Sequence, residues 1–308
     1  MNHGDTQLMN RYHNDPRDAL PISESDMAWL AGILDGDGYI SSTGIGMQLI
    51  DPSLVEAVAE LLGTNITTYD PRTHTNTKAD TTNWSLVYRT TLGRKPRLES
   101  IAPKIYPYMS QYRQKQIETL ITRVDPTGQW LQNVSPSMFA GKSLPQPKEK
   151  IQTPPREFTQ LEWAWFTGYF EAEGHVSFDR RAYIPRPGLC IQSTDQEIIA
   201  YVSQSFSKSY VEEKRRTKGN NPVFTFAITQ LNKAESMFQA MMPYFHGEHK
   251  LAEVKKALGM LEEYHRWKAL PSKARPSMYL PRKPKKKRLL KKHFLSHSKQ
   301  NLSFALFL

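Results

Sequence analysis

Apolar residues recur at helical spacing over 26–37 and again over 159–173, and after each stretch the period shortens to the alternation of short strands. The same two periods predict a full set of elements in the first half: helix 26–37, strands near 39–43 and 45–50, helix 53–63, strands near 65–69 and 83–91, and helices near 96–108 and 111–124. The second half gives helix 159–173, strands near 175–180 and 187–193, helix 195–206, strands near 208–214 and 222–229, and helices near 231–242 and 248–265. The order α-β-β-α-β-β-α-α therefore occurs twice. Local phrases answer each other too: GMQLIDPSLVEAV matches LCIQSTDQEIIAYV, and IYPYMSQYRQKQIETL matches MMPYFHGEHKLAEV. The chain reads as a tandem duplication of one α/β unit.

Residues 22–124 form the first unit in this reading and 158–267 the second. Between them, 125–157 holds six prolines and no clear apolar period, which marks a linker whose Trp130, Leu131 and Phe139 are expected to pack on the body. Residues 1–21 read as a flexible N-terminal segment and 268–308 as a basic C-terminal tail.

Composition narrows the class. At 308 residues and 39% hydrophobic content the chain can bury a large core, and no apolar run approaches membrane-spanning length. The N-terminal stretch lacks the apolar region of a secretory signal, and the lone Cys190 reads as a strand-packed thiol in a reducing compartment. The net charge is +11, but eight of those charges (Arg282, Lys283, Lys285, Lys286, Lys287, Arg288, Lys291 and Lys292) sit in the tail, leaving +3 for the rest. A nucleic-acid surface on the body must then be a local patch, while the tail alone could bind phosphates non-specifically.

The candidate chemistry lies where the two equivalent helices end. WLAGILDGDGYI (Trp29–Ile40) and WFTGYFEAEGHVSF (Trp165–Phe178) place acids beside small residues at a helix C-terminus, where the macrodipole disfavours negative charge. Gly32 and Gly36 share one helix face, as do Gly168 and Ala172, and such spacing lets two helix backbones approach closely. Gly38 and Gly174 are expected to close each helix in a left-handed cap. A parallel pair would bring Asp37 and Glu173 together, where two carboxylates and orphan carbonyls need a cation between them. A hard divalent ion with oxygen ligands, Mg²⁺ above all, suits that place. Two related half-sites around such an ion are an arrangement for cutting phosphodiesters, one cut per strand.

LAGILDGDG (Leu30–Gly38) and the looser FTGYFEAEG (Phe166–Gly174) resemble the signature of the LAGLIDADG homing endonucleases, in their single-chain, two-motif branch. The resemblance spans about 22–265, including repeat order and unit size. It implies an α/β (α+β) fold of tandem pseudo-symmetric αββαββα units. Their two antiparallel four-stranded sheets would form a DNA-binding saddle, with the parallel motif helices at the domain interface. It implies metal binding by Asp37 and Glu173 with the backbone carbonyls of Gly36 and Ala172, and Mg²⁺ as cofactor, with Mn²⁺ or Ca²⁺ able to substitute in binding. Around the scissile phosphates it places Gln48, Asp51 and Arg113 (with Lys115 near) in one half, and Gln192, Asp195 and Lys250 (or His249) in the other. Asp35 and Glu171 read as structural acids near the helix pair, and Thr167 as a small packing residue.

The resemblance implies a monomer on a long, non-palindromic double-stranded DNA site. Alternate strand positions supply polar residues to one sheet face: Ser41 and Thr43, Arg89, Ser177 and Asp179, and Thr225. Arg72, Lys78, Arg181, Lys214, Arg215, Arg216 and Lys218 fall at strand ends and hairpin tips, positions suited to phosphates. The predicted function is a metal-dependent, staggered double-strand cut that supports mobility of an intron or intein-like element. An RNA-splicing maturase on the same scaffold, with its host intron RNA as partner, is the alternative; a DNA-binding regulator without catalysis is a third. An intron-encoded enzyme of this kind implies a chloroplast or mitochondrion, whereas PRKPKKKRLLKK resembles a nuclear signal.

Overall fold

The computed structural model describes residues 22–70, 85–129, 134–141, 143–179, 185–213 and 221–272. Its first helix, α1 (Glu24–Gly36), starts where the Ser23 hydroxyl accepts a hydrogen bond from the Asp26 amide at 3.0 Å. Every residue from Met27 to Asp35 is buried, so the helix is apolar on all sides and belongs at the centre of the molecule. Its counterpart α5 (Gln160–Glu173) opens with a capping box formed by Thr159 and Glu162 and is buried from Ala164 to Glu171.

Each central helix feeds a four-stranded antiparallel sheet. In the first half these are β1 (Gly38–Ser41), β2 (Gly44–Leu49), β3 (Ile66–Tyr69) and β4 (Val87–Leu92), in the order β1-β2-β4-β3. In the second they are β5 (Gly174–Asp179), β6 (Arg186–Ser193), β7 (Val211–Glu213) and β8 (Val223–Ile228), in the order β5-β6-β8-β7. Helices α2 (Pro52–Leu62), α3 (Lys95–Ile105) and α4 (Gln111–Val124) complete the first half. Helices α6 (Gln196–Ser205), α7 (Leu231–Met241) and α8 (Glu248–Ala269) complete the second. The duplication expected from the sequence is present element by element.

Alternation along the strands decides which face is covered. Phe224, Phe226 and Ile228 of β8 point into the core while Thr225 stands between them on the other side. Ile40 is buried in β1 between Tyr39 and the exposed Ser41. One apolar core runs through both halves, with Trp29, Trp165, Tyr169 and Phe170 among its largest side chains. Phe139, from the proline-rich segment, belongs to it as well, with its ring 5.3 Å from that of Trp165.

Several boundaries differ from the sequence reading. β4 starts at Val87, so Ser85 and Leu86 precede it, and Leu86 is exposed rather than facing the core. The helices expected over 96–108 and 231–242 stop at Ile105 and Met241 and continue as single 3₁₀ turns, each carrying a proline whose missing N–H ends the α-helical ladder. β7 covers three residues, preceded by Ser207 in a left-handed conformation at φ 49°. Thr43 sits in the β1–β2 turn, with Ser41 Oγ 3.0 Å from its hydroxyl. The left-handed caps expected at Gly38 and Gly174 are absent: Gly174 has φ −87° and neither glycine has a positive φ. The second repeat instead passes directly from α5 into β5, and the first from α1 into β1 through Asp37 alone. A Cβ on Gly38 would come within 2.5 Å of the Leu34 backbone, and one on Gly174 within 2.1 Å of the Phe170 ring. Glycine is needed there for space, not for backbone freedom.

Candidate functional site

The site is built on the contact between α1 and α5. A Cβ added at Gly32 would lie 2.0 Å from the Trp165 carbonyl oxygen, and one at Gly168 would lie 2.2 Å from that of Trp29. Farther along, one at Gly36 would meet the Ala172 Cβ at 2.3 Å and the Glu173 Cγ at 3.2 Å. The register advances in the same direction on both helices, so they run parallel and finish together. Glycine at these positions is what permits backbone contact.

Each helix donates a tryptophan to the acid of the other. Trp29 Nε1 donates to Glu171 Oε2 at 2.6 Å, and Trp165 Nε1 donates to Asp35 Oδ2 at 3.1 Å. Glu171 also accepts from the amides of Gly247, at 2.6 Å, and His246, while Asp35 accepts from the amide and hydroxyl of Ser110. Burial pushes both acids up to about 7 against the pull of these donors. These carboxyls are tied on every side and fix where α4 and α8 begin. Neither tryptophan nor the Ser110 and Gly247 partners were singled out in the sequence. A signal existed, because each tryptophan stands six residues before its repeat's buried acid.

Asp37 and Glu173, two residues on, are different: both are half-buried at the helix ends and neither has such a set of donors. Burial raises the Asp37 carboxyl, with Lys250 opposing the rise. Burial raises Glu173 to about 7, with further upward pushes from Asp37 and Asp195. The two acids thus share one electrostatically strained place. Beside them Arg113 Nη2 donates to the Gly38 carbonyl at 2.7 Å, and Lys250 Nζ donates to the Gly174 carbonyl at 2.5 Å. A basic residue from the last helix of each half is therefore anchored on the residue that follows each acid.

The other expected site residues divide. Asp51 and Asp195 are the N-caps of α2 and α6: Asp51 accepts from the Ser53 amide at 3.0 Å, and Asp195 from the Ile198 amide at 3.2 Å. Asp195 also bears on Glu173, and Arg113 lowers its burial-raised carboxyl; Asp51 instead bears on Glu171. Gln48 and Gln192 are exposed on the outer sheet faces. Gly36 and Ala172 lie in the last helical turns, where carbonyls lack intrahelical partners. Lys115 and His249 are exposed, with His249 3.6 Å from Glu253. The halves are further stitched by the Gln111 amide donating to Glu197 at 3.0 Å and the Glu248 amide donating to the Ser53 hydroxyl at 3.2 Å.

Two sheet faces are left open to solvent by this arrangement. On the first, Tyr39, Gly46 and Thr91 line up across the strands, and Gln48, Arg89 and Thr67 form the next row. On the second the equivalent rows are His175, Cys190 and Ala227, then Gln192, Thr225 and Val211. Ser177 and Asp179 are half-buried on β5, and Gln192 Nε2 donates to the Thr225 hydroxyl at 3.3 Å. Arg72, Lys78, Arg181, Lys214, Arg215, Arg216 and Lys218, and the basic tail, lie outside the described residues.

Two αββαββα units joined by their motif helices are the architecture that the LAGLIDADG resemblance implied. Solved structures of that family are among those similar to this chain. LAGLIDADG Meganuclease I-AabMI, bound to uncleaved DNA, matches at 14% identity and a TM-score of 0.46, over 78% of this chain and 91% of its own. The I-LtrWI LAGLIDADG homing endonuclease, bound to target DNA, matches at 13% and 0.47, over 82% and 94%. Full-length DUF199/WhiA from Thermatoga maritima matches at 13% and 0.40, over 80% and 63%. No protein-family model and no curated protein sequence matches the chain.

Proposed function

We propose that the protein is a metal-dependent, site-specific DNA endonuclease that makes a staggered double-strand break in a long, non-palindromic site and thereby supports mobility of an intron or intein-like element. The observation that carries this reading is the convergence of Asp37 and Glu173 at the joined ends of α1 and α5, both pushed up by burial and flanked by Arg113 and Lys250. Acids kept in a place that destabilises them call for a counter-charge.

The donor set fits Mg²⁺, which takes oxygen ligands and commonly uses one or two carboxylates with water and substrate phosphate. Among the described residues no three His, Cys, Asp or Glu side chains form a cage, so a softer or fully protein-ligated ion fits less well. Asp37 and Glu173 would hold the ion with the Gly36 and Ala172 carbonyls, and when bound it would neutralise phosphate charge and make water a stronger nucleophile. The Arg113 guanidinium presents a planar fork of donors that would stabilise phosphate charge, whereas Lys250 would bring a single amino group on a flexible stem to the other strand's site. Asp195, whose charge bears on Glu173, would orient water, and Gln48 and Gln192, exposed on the sheets, would contact phosphate. The open sheet faces lie beside this centre and supply the surface for the duplex.

The test is cleavage of a library of duplexes, with and without Mg²⁺, by the full chain. A staggered cut that needs the metal and disappears in Asp37→Asn is the expected result. Selective binding with no cut in either Mg²⁺ or Mn²⁺ would overturn the nuclease reading in favour of a maturase or a regulator.

A further inference from the structure

The first sheet holds one exposed side chain in a place built for it. Arg89 stands in the middle of β4, opposite Gln48 on β2 and Thr67 on β3. Its Nε donates to the Tyr39 hydroxyl at 3.1 Å, and its guanidinium carbon lies 5.4 Å from the centre of that ring. The Tyr39 hydroxyl is bonded in turn to the Thr91 hydroxyl. Room for the ring comes from Gly46, where any Cβ would sit 2.6 Å from the Tyr39 oxygen. Residues on three strands therefore spend their contacts on fixing one guanidinium.

That arrangement has a consequence for recognition. A flexible arginine loses rotamer freedom when it binds, and fixing it beforehand removes that loss from the binding step. With Nε already committed, the terminal Nη1 and Nη2 have no protein partner among the described residues and form a two-pronged donor. In the major groove the group that matches two parallel donors is the O6 and N7 edge of guanine.

We propose that Arg89 is the dominant base-reading residue of the first half, taking a guanine through O6 and N7, and that Tyr39 is its positioning residue. This rests on the DNA-endonuclease reading above. The equivalent niche in the second sheet is made of His175, Cys190, Thr225 and Ala227, which supply no such donor pair, so among the described residues this niche is confined to the first half.

The experiment is a cleavage selection from duplexes randomised one position at a time around the recovered site, run on the full chain. Wild-type protein should show one guanine in one half-site preferred about tenfold or more, and Arg89→Ala should erase that preference while leaving the other positions as they were. Arg89→Lys keeps the charge and should still lose most of the preference. Tyr39→Phe removes one hydrogen-bond partner and should weaken the same preference about two- to tenfold. A loss spread evenly over all sequences with a shallower salt dependence would show a phosphate contact and overturn the proposal. An unchanged preference in Tyr39→Phe would overturn the positioning role. Failure of the wild-type chain to select any duplex would instead overturn the endonuclease reading, and this inference with it.

Discussion

The two sheets are built on one frame and present different chemistry. Where the first shows Tyr39, Arg89, Thr91 and Thr67, the second shows His175, Thr225, Ala227 and Val211 at the same register positions. The central helices differ far less: Gly32 answers Gly168, Trp29 answers Trp165, and Asp35 answers Glu171 in the same crossed geometry. Backbone contact tolerates no added atom, so both copies keep it. An outer face that meets a ligand carries no such constraint, and after duplication each copy could take on a different surface. The interface is held alike in the two copies, while their outer faces have diverged.

The sharpest way to break this comparison is through Asp37 and Glu173, which end equivalent helices in the two copies. Asp37→Asn and Glu173→Gln should each lower double-strand cleavage by at least about 10³-fold, measured by conversion of supercoiled to linear plasmid. Because Asp and Glu differ by one methylene, the two variants should leave different amounts of nicked circle. Equal nicking by both would make the half-sites equivalent after all. Retained linear product in either variant would remove that residue from the proposed metal site.

Next in size is the helix contact. Gly32→Val and Gly168→Val each force side-chain atoms onto the opposite backbone, where even a Cβ would stand 2.0 Å and 2.2 Å from a carbonyl oxygen. Each should cost about 3 kcal/mol or more in urea unfolding, at the upper end of overpacking costs. The symmetry reading requires the two losses to be similar. A large loss in one and a small loss in the other would show that only one half bears the contact.

How much of this was legible beforehand follows the same division. The duplication, the helix pair and the two acids could be read because each rests on periodicity, small-residue spacing or charge at fixed offsets within one segment. The left-handed caps were misread because glycine has two uses: Gly38 and Gly174 are small to clear Leu34 and Phe170, and nothing local distinguishes that from a φ requirement. The roles of Asp51 and Asp195 as helix caps were open to view, since each precedes an apolar helical run. The Tyr39–Arg89–Thr91 niche was not, because it joins residues 50 apart through sheet register that no single segment encodes.

A smaller effect separates the two tryptophan–acid ties. Trp29→Phe removes a donor 2.6 Å from Glu171, whereas Trp165→Phe removes one 3.1 Å from Asp35, which keeps three contacts to Ser110. Both should destabilise within the range of a buried carboxyl losing one donor, about 1–3 kcal/mol, with Trp29→Phe the larger. The reverse order would mean that the Gly247 and His246 amides, not Trp29, carry Glu171.

The smallest expected effect tests whether the acid pair is strained when no cation is present. Glu173 has a folded value near 7 against an ordinary 4.5, so the folded state holds its proton more tightly than the unfolded chain. Stability from this group is therefore fully present below about pH 4.5 and is lost as pH rises through about 7. Asp35 and Glu171 titrate in the same window, so the informative quantity is the difference between wild type and Glu173→Gln. In chelator the variant should melt higher than wild type at about pH 8, by some 2–4 °C for about 1 kcal/mol, and the gap should close toward about pH 5. Added Mg²⁺ should then raise wild type and leave Glu173→Gln nearly unmoved, because an ion that binds only the folded protein stabilises it by mass action. A variant that melts no higher than wild type at the upper pH would mean the two carboxyls are already satisfied without a cation, and the strain that points to a metal would have to be sought elsewhere.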